Sequence, residues 1–427
     1  MKDIRIESKP LGVGLDLGSS AVRISLFDYE NDNLLSTTSQ KVAYYINDND
    51  PCIFKYTQST PEILCAIDQC FKNLKIDKFH QNIKSFGIAA TCSMVVLNNN
   101  SEPYNLIPNN LGKIHDVIFW MDSSSVQECK EANKLIDSSE KDKLGGSGFI
   151  AEMAVPKLIR LFKFKKNVVV MDLHKYIAYI MCKKFNWSFK SLVDIPNKNG
   201  VAHDGELSGW SNPNILKLVD EAASRIGPVI DTDTKNVMNI TSHIDCYTSW
   251  FSTFPKPDKS VCVVAGTSTC FLFASSRDNL VIPGVWGPFT NVFEKNNFDK
   301  DINVYESGQQ TTGILLEHLL QTHPCAIKSG LSQAELHVKI NNYLDCNDDK
   351  GSVHLLNKYK FLYGDFLGNR TPFADPDVRG MYIGESLDCS FHDLCMKYLC
   401  ILEFLAFQTK FLIDRLSENI TQTFVNY

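Results

Sequence analysis

The sequence lacks the features that mark membrane, secreted or nucleic-acid-binding proteins. No stretch of about 18 apolar residues occurs, so no membrane-spanning helix is predicted. The N-terminus, MKDIRIESKP, has no apolar core of the kind found in secretory signals, which favours a cytoplasmic protein. Runs of like charge are absent, and a net charge of -6 argues against a general nucleic-acid surface. We therefore expect a soluble protein with neither a membrane nor a nucleic acid as partner.

Cysteine is plentiful, but its context argues against a disulfide or metal framework. Without a secretory signal, the 14 cysteines are most simply reduced thiols. The densest group, LDCSFHDLCMKYLC, holds Cys389, His392, Cys395 and Cys400, which would bind zinc only if they converged on one point. Apolar residues recur around them at helical spacing. We interpret the cysteines of this group as core residues rather than metal ligands.

The order of apolar runs predicts an α/β protein with two related domains. The chain has no long repeat, and 427 residues with 44% apolar content suffice for two or three domains. Strand-like runs (VGLDLG, AVRISLF, SFGIAAT, DVIFWMD) precede the polar break FPKPDKS, and a second set begins at SVCVVAGTSTCFLFAS. We predict domains over residues 1–254 and 255–427. A long helix is predicted from about Leu387 to Leu416, with Asn419 beyond its end.

The turn in VGLDLGSSAVRISLF has the residues of a phosphate-binding loop. Gly18 lets the backbone approach a ligand, and Ser19 and Ser20 offer hydroxyl and N–H donors. Asp16, at the end of the strand, suits a magnesium ion held directly or through water. A plain hairpin with a buried aspartate is the alternative. The glycine spacing does not fit a dinucleotide loop, and no GxxxxGK[ST] motif occurs.

A second turn, AGTSTC, repeats this chemistry in the second half of the chain. Gly266, Thr267, Ser268 and Thr269 lie between the apolar runs VCVV and CFLFA. Two strand–turn–strand units of this type indicate phosphate binding more specifically than a single unit does. They suggest a phosphate chain held between two domains.

In motif content and order, the sequence resembles the FGGY carbohydrate kinases, in particular their D-ribulokinase-like branch. The motifs are GLDLGSSAVR, GIAATCSMVVL, FWMDSSS, AEMAVPKLIRLFK, SHIDCYTSWF, AGTSTC, PGVWGPF, YESGQQTTG and GNRTPFADPDVRGM. The resemblance covers about Leu11 to Val425. It implies two ribonuclease H-like (actin-like ATPase) domains flanking a cleft, with ATP, Mg2+ and a sugar as ligands.

The resemblance also assigns the phosphate loops and a catalytic base. The DLGSS turn, with Arg23 following it, corresponds to the first phosphate loop, and AGTSTC corresponds to the second. Asp245 falls at the position of the base, where a carboxylate can accept the proton of a sugar hydroxyl during phosphoryl transfer. Capping of a helix is the alternative role of Asp245, and it is compatible with catalysis.

Seven residues correspond by motif to the family's sugar site. They are Thr91, Cys92, Trp120, Asp122, Lys198, Glu306 and Gln309. The alternatives are that Asp122 closes a strand end and that Lys198 belongs to a solvated loop. Trp286 is interpreted as a packing residue and Arg370 as a residue that orders a loop.

Departures from the family pattern affect the expected activity. Ser123 to Ser125 replace the usual His-Arg-Ala, which removes a cation near Asp122, and the segment from about Arg225 to Thr241 looks short. Tyr247 and Trp250 are bulky where small residues are usual. The chain stops after NITQTFVNY, where the family continues into its adenosine-binding turn, so the second domain is expected to be incomplete.

Three hypotheses follow for the function. The first is an ATP-dependent kinase of a ketopentose, with D-ribulose as the expected substrate and D-ribulose 5-phosphate as the product. The second is a catalytically inactive sugar- or phosphate-binding relic of the same fold. The third, a chaperone-like or filament-forming member of the wider superfamily, is disfavoured by GVWGP and GNRTP.

Overall fold

The computed structural model describes the part of the chain that carries most of the motifs. The described residues are 9–48, 54–98, 100–107, 112–165, 168–185, 188–189, 237–253, 258–276, 280–289, 302–348, 351–373, 375 and 377–419. The prediction for Lys198 falls outside these ranges. Contacts divide the chain into two compact units, one of residues 1–137 and 149–252 and the other of residues 138–148 and 253–427.

The first unit combines two sheets with helices. Its strands are β1 (Leu11–Leu17), β2 (Ala21–Asp28), β3 (Asn33–Lys41), β4 (Tyr45–Ile46), β5 (Tyr56–Gln58), β6 (Ile83–Ala90), β7 (Met94–Asn98), β8 (Val117–Ile118), β9 (Val168–Asp172), β10 (Ser188–Phe189) and β11 (Val237–Ile244). Its helices are α1 (Thr60–Leu74), α2 (Ile76–Phe79), α3 (Val126–Asn133), α5 (Ala154–Phe164), α6 (Leu173–Phe185) and α7 (Asp245–Ser252), with a 3₁₀ turn at His80–Asn82; α4 (Ser138–Lys143) belongs to the second unit.

The larger sheet of this unit sets the position of the site. Among the described residues it has six strands in the order β10-β11-β6-β1-β2-β3. β2 is antiparallel to both β1 and β3, whereas β6 is parallel to β1 and to β11. A smaller sheet, within the same described ranges, has the order β4-β5-β8-β7-β9. The parallel strands therefore have their carboxyl ends at one edge of the larger sheet.

Apolar residues of the central strands and of α1 and α6 form the core of the first unit. Alternate residues of β1 and β2 are buried, as expected for a sheet covered by helices. Helix α1 begins with a proline in its first turn and buries Ile63, Ile67 and Phe71 against the sheet. Lys75, with φ 57°, ends the helix in the left-handed conformation.

A buried carboxyl group holds the start of α1. Asp116 is fully buried and accepts hydrogen bonds from the Thr60 backbone N–H (2.8 Å) and the Thr60 hydroxyl. Burial raises the pKa of Asp116 from 3.8 to about 6. The folded state therefore retains a proton that the unfolded state loses between these two values. The contribution of this group to the free energy of unfolding must fall as the pH rises through that window.

Replacing Asp116 by Asn should remove this pH dependence. From pH 4 to pH 7, the free energy of unfolding of the wild type should fall relative to the variant by up to about 3 kcal/mol. Urea unfolding of both proteins at intervals of one pH unit measures the difference. The exposed Asp77→Asn serves as the matched control. Parallel pH profiles for the wild type and Asp116→Asn would contradict the prediction.

The second unit contains a separate sheet and a layer of helices. Its strands are β12 (Val261–Ala265), β13 (Thr269–Ser275), β14 (Trp286–Phe289), β15 (Asn303–Gln309), β16 (Phe361–Tyr363) and β17 (Met381–Ile383). Its remaining helices are α8 (Gly313–Thr322), α9 (Pro324–Ser329), α10 (Gln333–Cys346) and α11 (Phe391–Asn419), with a 3₁₀ turn at Val353–Asn357. Within the described ranges, the main sheet has the order β12-β13-β15-β14, and β16 pairs with β17. β12, β13 and β15 are antiparallel neighbours, as β1, β2 and β3 are.

The long late helix is confirmed, but its predicted ends are wrong. The helix begins at Phe391 because the Ser390 hydroxyl accepts a hydrogen bond from the Asp393 N–H (3.3 Å), as an N-cap does. Asn419 lies inside the helix rather than beyond it. Cys395 and Cys400 are buried core residues, as predicted. Cys389 is exposed, so the core interpretation is wrong for that residue.

One segment of the N-terminal half lies with the second unit. Residues 138–148 belong to it, and the Gly284 N–H donates to the Gly145 carbonyl oxygen (2.8 Å). A Cβ at Gly145 would lie 3.1 Å from the Trp286 ring, which shows how closely the two segments pack. The boundary between residues 254 and 255 stays a prediction. Across the described part of the chain, no helix has the length and apolar content needed to cross a membrane.

Candidate functional site

Three adjacent parallel strands of the first unit end at the same level. Leu17 of β1 and Ile244 of β11 both pair with Ala90 of β6, which lies between them. The residues that follow these strand ends are Gly18, Thr91 and Asp245. Neighbouring strands are about 4.8 Å apart, so the predicted phosphate loop, sugar turn and base lie along one edge of the sheet.

The first predicted phosphate loop is a tight turn between β1 and β2. The Gly18 N–H donates to the Ala21 carbonyl oxygen (3.0 Å), and Ser20 is exposed. The Asp16 carboxylate accepts a hydrogen bond from Arg23 Nη1 (3.2 Å), with the side chains 48% and 60% exposed. The alternative of a buried strand-end aspartate is therefore wrong. An exposed carboxylate in this position suits a magnesium ion that keeps part of its water shell.

The turn after β6 is held by its own hydroxyl groups. The Thr91 N–H donates to the Leu17 carbonyl oxygen (3.1 Å), which fixes this turn beside the first loop. The Thr91 and Ser93 hydroxyls are hydrogen-bonded to each other at 2.9 Å, and both side chains are buried. Cys92 is exposed. Of the two residues assigned to the sugar, Cys92 thus faces solvent and Thr91 orders the turn.

Trp120 connects the turn after β8, a predicted part of the sugar site, to the first predicted phosphate loop. Its indole Nε1–H donates to Ser19 Oγ (2.9 Å), and its backbone N–H donates to Ser93 Oγ (3.0 Å). The side chain is only half-buried. A partly exposed aromatic ring bonded to the first loop is well placed to contact a ligand bound there.

Asp122 is fully buried and bonded to protein donors. Its carboxylate accepts hydrogen bonds from the Tyr56 N–H (2.8 Å), the Ser124 N–H (3.0 Å) and the Ser124 hydroxyl (3.0 Å). These contacts join the turn after β8 to the start of β5. They are the contacts expected of a residue that closes a strand end. A direct contact between Asp122 and a sugar stays a prediction.

Asp245 occupies the junction between β11 and α7. Its Oδ1 accepts a hydrogen bond from the Cys246 N–H (2.7 Å), and the side chain is half-buried. A carboxylate at a helix N-terminus is favoured by the helix dipole. Trp250, whose bulk raised doubt about activity, is fully buried in the core, while Tyr247 is half-buried. The indole of Trp250 therefore does not occupy the solvent-accessible edge of the sheet.

The second predicted phosphate loop lies against the start of α8. The Gly266 N–H donates to the Ser268 carbonyl oxygen (2.8 Å), and the Gly313 N–H donates to the Gly266 carbonyl oxygen (2.9 Å). The hydroxyls of Thr269 and Thr312 are hydrogen-bonded at 2.7 Å. The carbonyl oxygen of Thr267, in the middle of the turn, accepts a hydrogen bond from the Thr312 N–H (3.2 Å). The helix start thus fixes the shape of the loop.

The two predicted sugar residues of the second unit share strand β15. Glu306 is half-buried and lies opposite Leu272, whereas Gln309 is 3% exposed and lies opposite Thr269. No described residue accepts a hydrogen bond from Gln309 Nε2. A cavity of about 620 Å³ lies beside this side chain; it is lined also by Thr269, Thr312 and residues of β12 and α11.

The surroundings of Trp286 agree with its interpretation as a packing residue, whereas the loop-ordering role of Arg370 stays a prediction. Trp286 is 6% exposed and lies on β14 opposite Glu306, which confirms a packing role. Arg370 is 8% exposed, and a Cβ on Gly308 would lie 3.0 Å from its Cδ. Both residues therefore belong to the interior of the second unit.

Several residues that shape the site were not predicted. Ser93 and Ser124 hold Trp120 and Asp122, and Lys157 donates to carbonyl oxygens beside them. The signal for Lys157 was a lysine on the apolar face of the amphipathic run AEMAVPKLIRLFK. Hydroxyl contacts at turns leave no comparable pattern in a single sequence.

Comparisons with known proteins point to one family of enzymes. Residues 261–423 match the C-terminal domain model of the FGGY family of carbohydrate kinases. The chain is 39% identical over 418 residues to Protein MPA43 of Saccharomyces cerevisiae, covering 95% of this chain and 76% of that protein. It is 29% identical over 471 residues to D-ribulokinase YDR109C of the same yeast, covering 94% of this chain and 63% of that protein. The structure of Plasmodium falciparum glycerol kinase with ADP matches with a TM-score of 0.62 at 14% identity, covering 98% of this chain and 80% of that one.

Proposed function

This chain belongs to the FGGY family of carbohydrate kinases, and we propose that it phosphorylates a ketopentose, with D-ribulose converted to D-ribulose 5-phosphate. Membership of this family makes the protein a phosphotransferase that uses ATP as the phosphoryl donor and a sugar hydroxyl group as the acceptor, and the two-domain actin-like ATPase fold agrees with this. The observation that carries the proposal is the common strand edge that bears Gly18, Thr91 and Asp245. The similarity to a D-ribulokinase supports the choice of sugar.

In the proposed reaction, Asp245 is the general base. Its carboxylate accepts the proton of the sugar 5-hydroxyl while that oxygen forms a bond to the γ-phosphorus of ATP. The bond from the γ-phosphorus to the bridging oxygen breaks in line, and ADP leaves with the electron pair. The Cys246 N–H bonded to Oδ1 at 2.7 Å fixes the orientation of the carboxylate.

The phosphate oxygens are proposed to bind the two glycine turns. Ser19 and Ser20 offer N–H and hydroxyl donors in one turn, and Thr267 and Ser268 offer them in the other, whereas the Gly18 and Gly266 N–H groups are bonded within their turns. Asp16 would hold Mg2+ through water, and its exposed carboxylate fits that role. When bound, the ion neutralises charge on the phosphoryl oxygens. Arg23, which is bonded to Asp16, adds positive charge beside the same turn.

The test is sugar-dependent release of ADP by the purified chain with MgATP. We expect D-ribulose to be used with a kcat/KM at least about tenfold above D-xylulose, L-ribulose and the matching pentitols, because an unmatched hydroxyl leaves a buried polar group unpaired. A higher rate with a pentitol would change the proposed substrate but leave the assignment as a kinase unchanged. Sugar binding without ADP release would favour the non-catalytic hypothesis. ATP hydrolysis stimulated by peptide and unaffected by sugar would favour the chaperone-like one.

A further inference from the structure

A buried lysine lies behind the sugar element of the first unit. Lys157 is 2% exposed on α5, where its neighbours Leu158 and Ile159 are also buried. Burial of an ammonium group is costly unless hydrogen bonds replace its lost water. Lys157 Nζ donates to the Phe119 carbonyl oxygen (3.0 Å) and the Trp120 carbonyl oxygen (2.7 Å). The ammonium group on this apolar helix face is therefore stabilised by the hydrogen bonds that it donates to these two carbonyl groups.

The two carbonyl groups flank the backbone of Trp120. Hydrogen bonds from an ammonium group are shorter and stronger than those between neutral groups. On its other side, the Trp120 N–H is bonded to Ser93 Oγ (3.0 Å). Both peptide units of Trp120 are thus fixed. The lysine from α5 donates to the carbonyl oxygen of each unit, and a hydroxyl from the turn after β6 accepts the N–H of the first.

Fixing both peptide units determines where the indole points. The ring nitrogen reaches Ser19 Oγ at 2.9 Å, in the first phosphate loop. Displacement of the 119–120 backbone would lengthen this bond, since the indole has few torsions with which to compensate. The buried lysine thus acts at a distance on the exposed face of Trp120.

We propose that Lys157 is a positioning residue for the sugar site and acts through Trp120. Its ammonium group holds the 119–120 carbonyls so that the indole stays bonded to Ser19 and faces the sugar. The kinetic part of this inference rests on the proposed function. The structural part rests only on the contacts of the described residues.

Lys157→Met tests the role by removing the ammonium group while keeping much of the side-chain volume. The KM for the sugar should rise by roughly tenfold to a hundredfold, as expected when charged hydrogen bonds are lost. The kcat and the KM for ATP should change by less than about threefold. Lys157→Arg keeps the charge and the donors, so it should restore most of the sugar affinity. Leu158→Ala, a cavity-forming change on the same helix, is the matched control for lost stability.

A double-mutant cycle with Trp120→Phe separates positioning from a general structural role. If Lys157 acts through Trp120, the effects of Lys157→Met and Trp120→Phe on the sugar KM should be clearly less than additive. Additive effects would overturn the proposal. So would equal increases in sugar KM for Lys157→Met and Leu158→Ala at similar loss of stability.

Fluorescence provides a readout that does not need turnover. The chain has five tryptophans, so the emission of Trp120 is obtained as the difference between each protein and its Trp120→Phe version. Acrylamide should quench this component about twofold more strongly in Lys157→Met, because the indole is no longer held. An unchanged component would contradict the proposal. If the wild type turns over no sugar, the proposed function fails and this measurement alone decides the role of Lys157.

Discussion

Replacing Asp245 by Asn should lower the kcat of sugar-dependent ADP release by about 100- to 10,000-fold, the usual contribution of a general base. The amide has the shape of the carboxylate but cannot accept the sugar proton. Steady-state kinetics with D-ribulose and MgATP measures this loss.

This substitution also separates catalysis from helix capping. Asp245 Oδ1 accepts the Cys246 N–H, and an asparagine oxygen can accept the same bond. Asn is as good an N-cap as Asp, so the unfolding midpoint should change little. Asp245→Ala removes both functions and should in addition cost about 1 kcal/mol of stability. Retention of more than a tenth of the activity by Asp245→Asn would exclude it as the base.

Alternation of apolar residues made the strands of the central sheets predictable. VGLDLG and AVRISLF correspond to β1 and β2, and SFGIAAT corresponds to β6. DVIFWMD was predicted as a full strand, but only Val117 and Ile118 are in β8. The Phe119 N–H still donates to the Tyr56 carbonyl oxygen of β5 (3.1 Å), but the backbone of Trp120 is bonded to Lys157 and Ser93 instead of to a strand. A partner so distant in sequence produces no local pattern.

Helix ends and the route of the chain were less predictable for the same reason. Apolar spacing alone predicts that α11 begins near Leu387. The helix begins only at Phe391, after Ser390, whose hydroxyl accepts a hydrogen bond from the Asp393 N–H. Residues 138–148 lie with the second unit because Gly145 packs against Trp286. That contact joins two segments far apart in the sequence, so neither segment reveals it alone.

The site was predictable where backbone turns carry the chemistry and less so where side chains support it. The glycine turns at Gly18 and Gly266 both lie between antiparallel strands, as their sequences indicate. The sequence also led to Asp122, but not to the three donors that occupy its carboxylate. The roles of the predicted residues in binding stay predictions until the variants are measured.

Gly313→Ala should disrupt the second phosphate loop from outside it. A Cβ at this position would lie 2.7 Å from the Gly266 carbonyl oxygen and 3.4 Å from its carbonyl carbon. Both are backbone atoms, so the loop has to move to admit a methyl group. We expect a loss of about 1–3 kcal/mol in the free energy of unfolding. Because a displacement of about 1 Å can cost a hundredfold in rate, kcat/KM for ATP should fall by at least about tenfold.

Gly87→Ala is the matched control for this change. A Cβ at Gly87 meets its nearest neighbour, Thr241 Oγ1, at 3.9 Å, which is ordinary contact. It should therefore leave both stability and the kinetics with ATP nearly unchanged, although it also replaces a glycine in a central strand. If Gly313→Ala loses stability without any change in kcat/KM for ATP, the AGTSTC turn does not bind the nucleotide. Its assignment as the second phosphate loop would then have to be withdrawn, because the helix start that holds this turn would have moved without consequence for ATP.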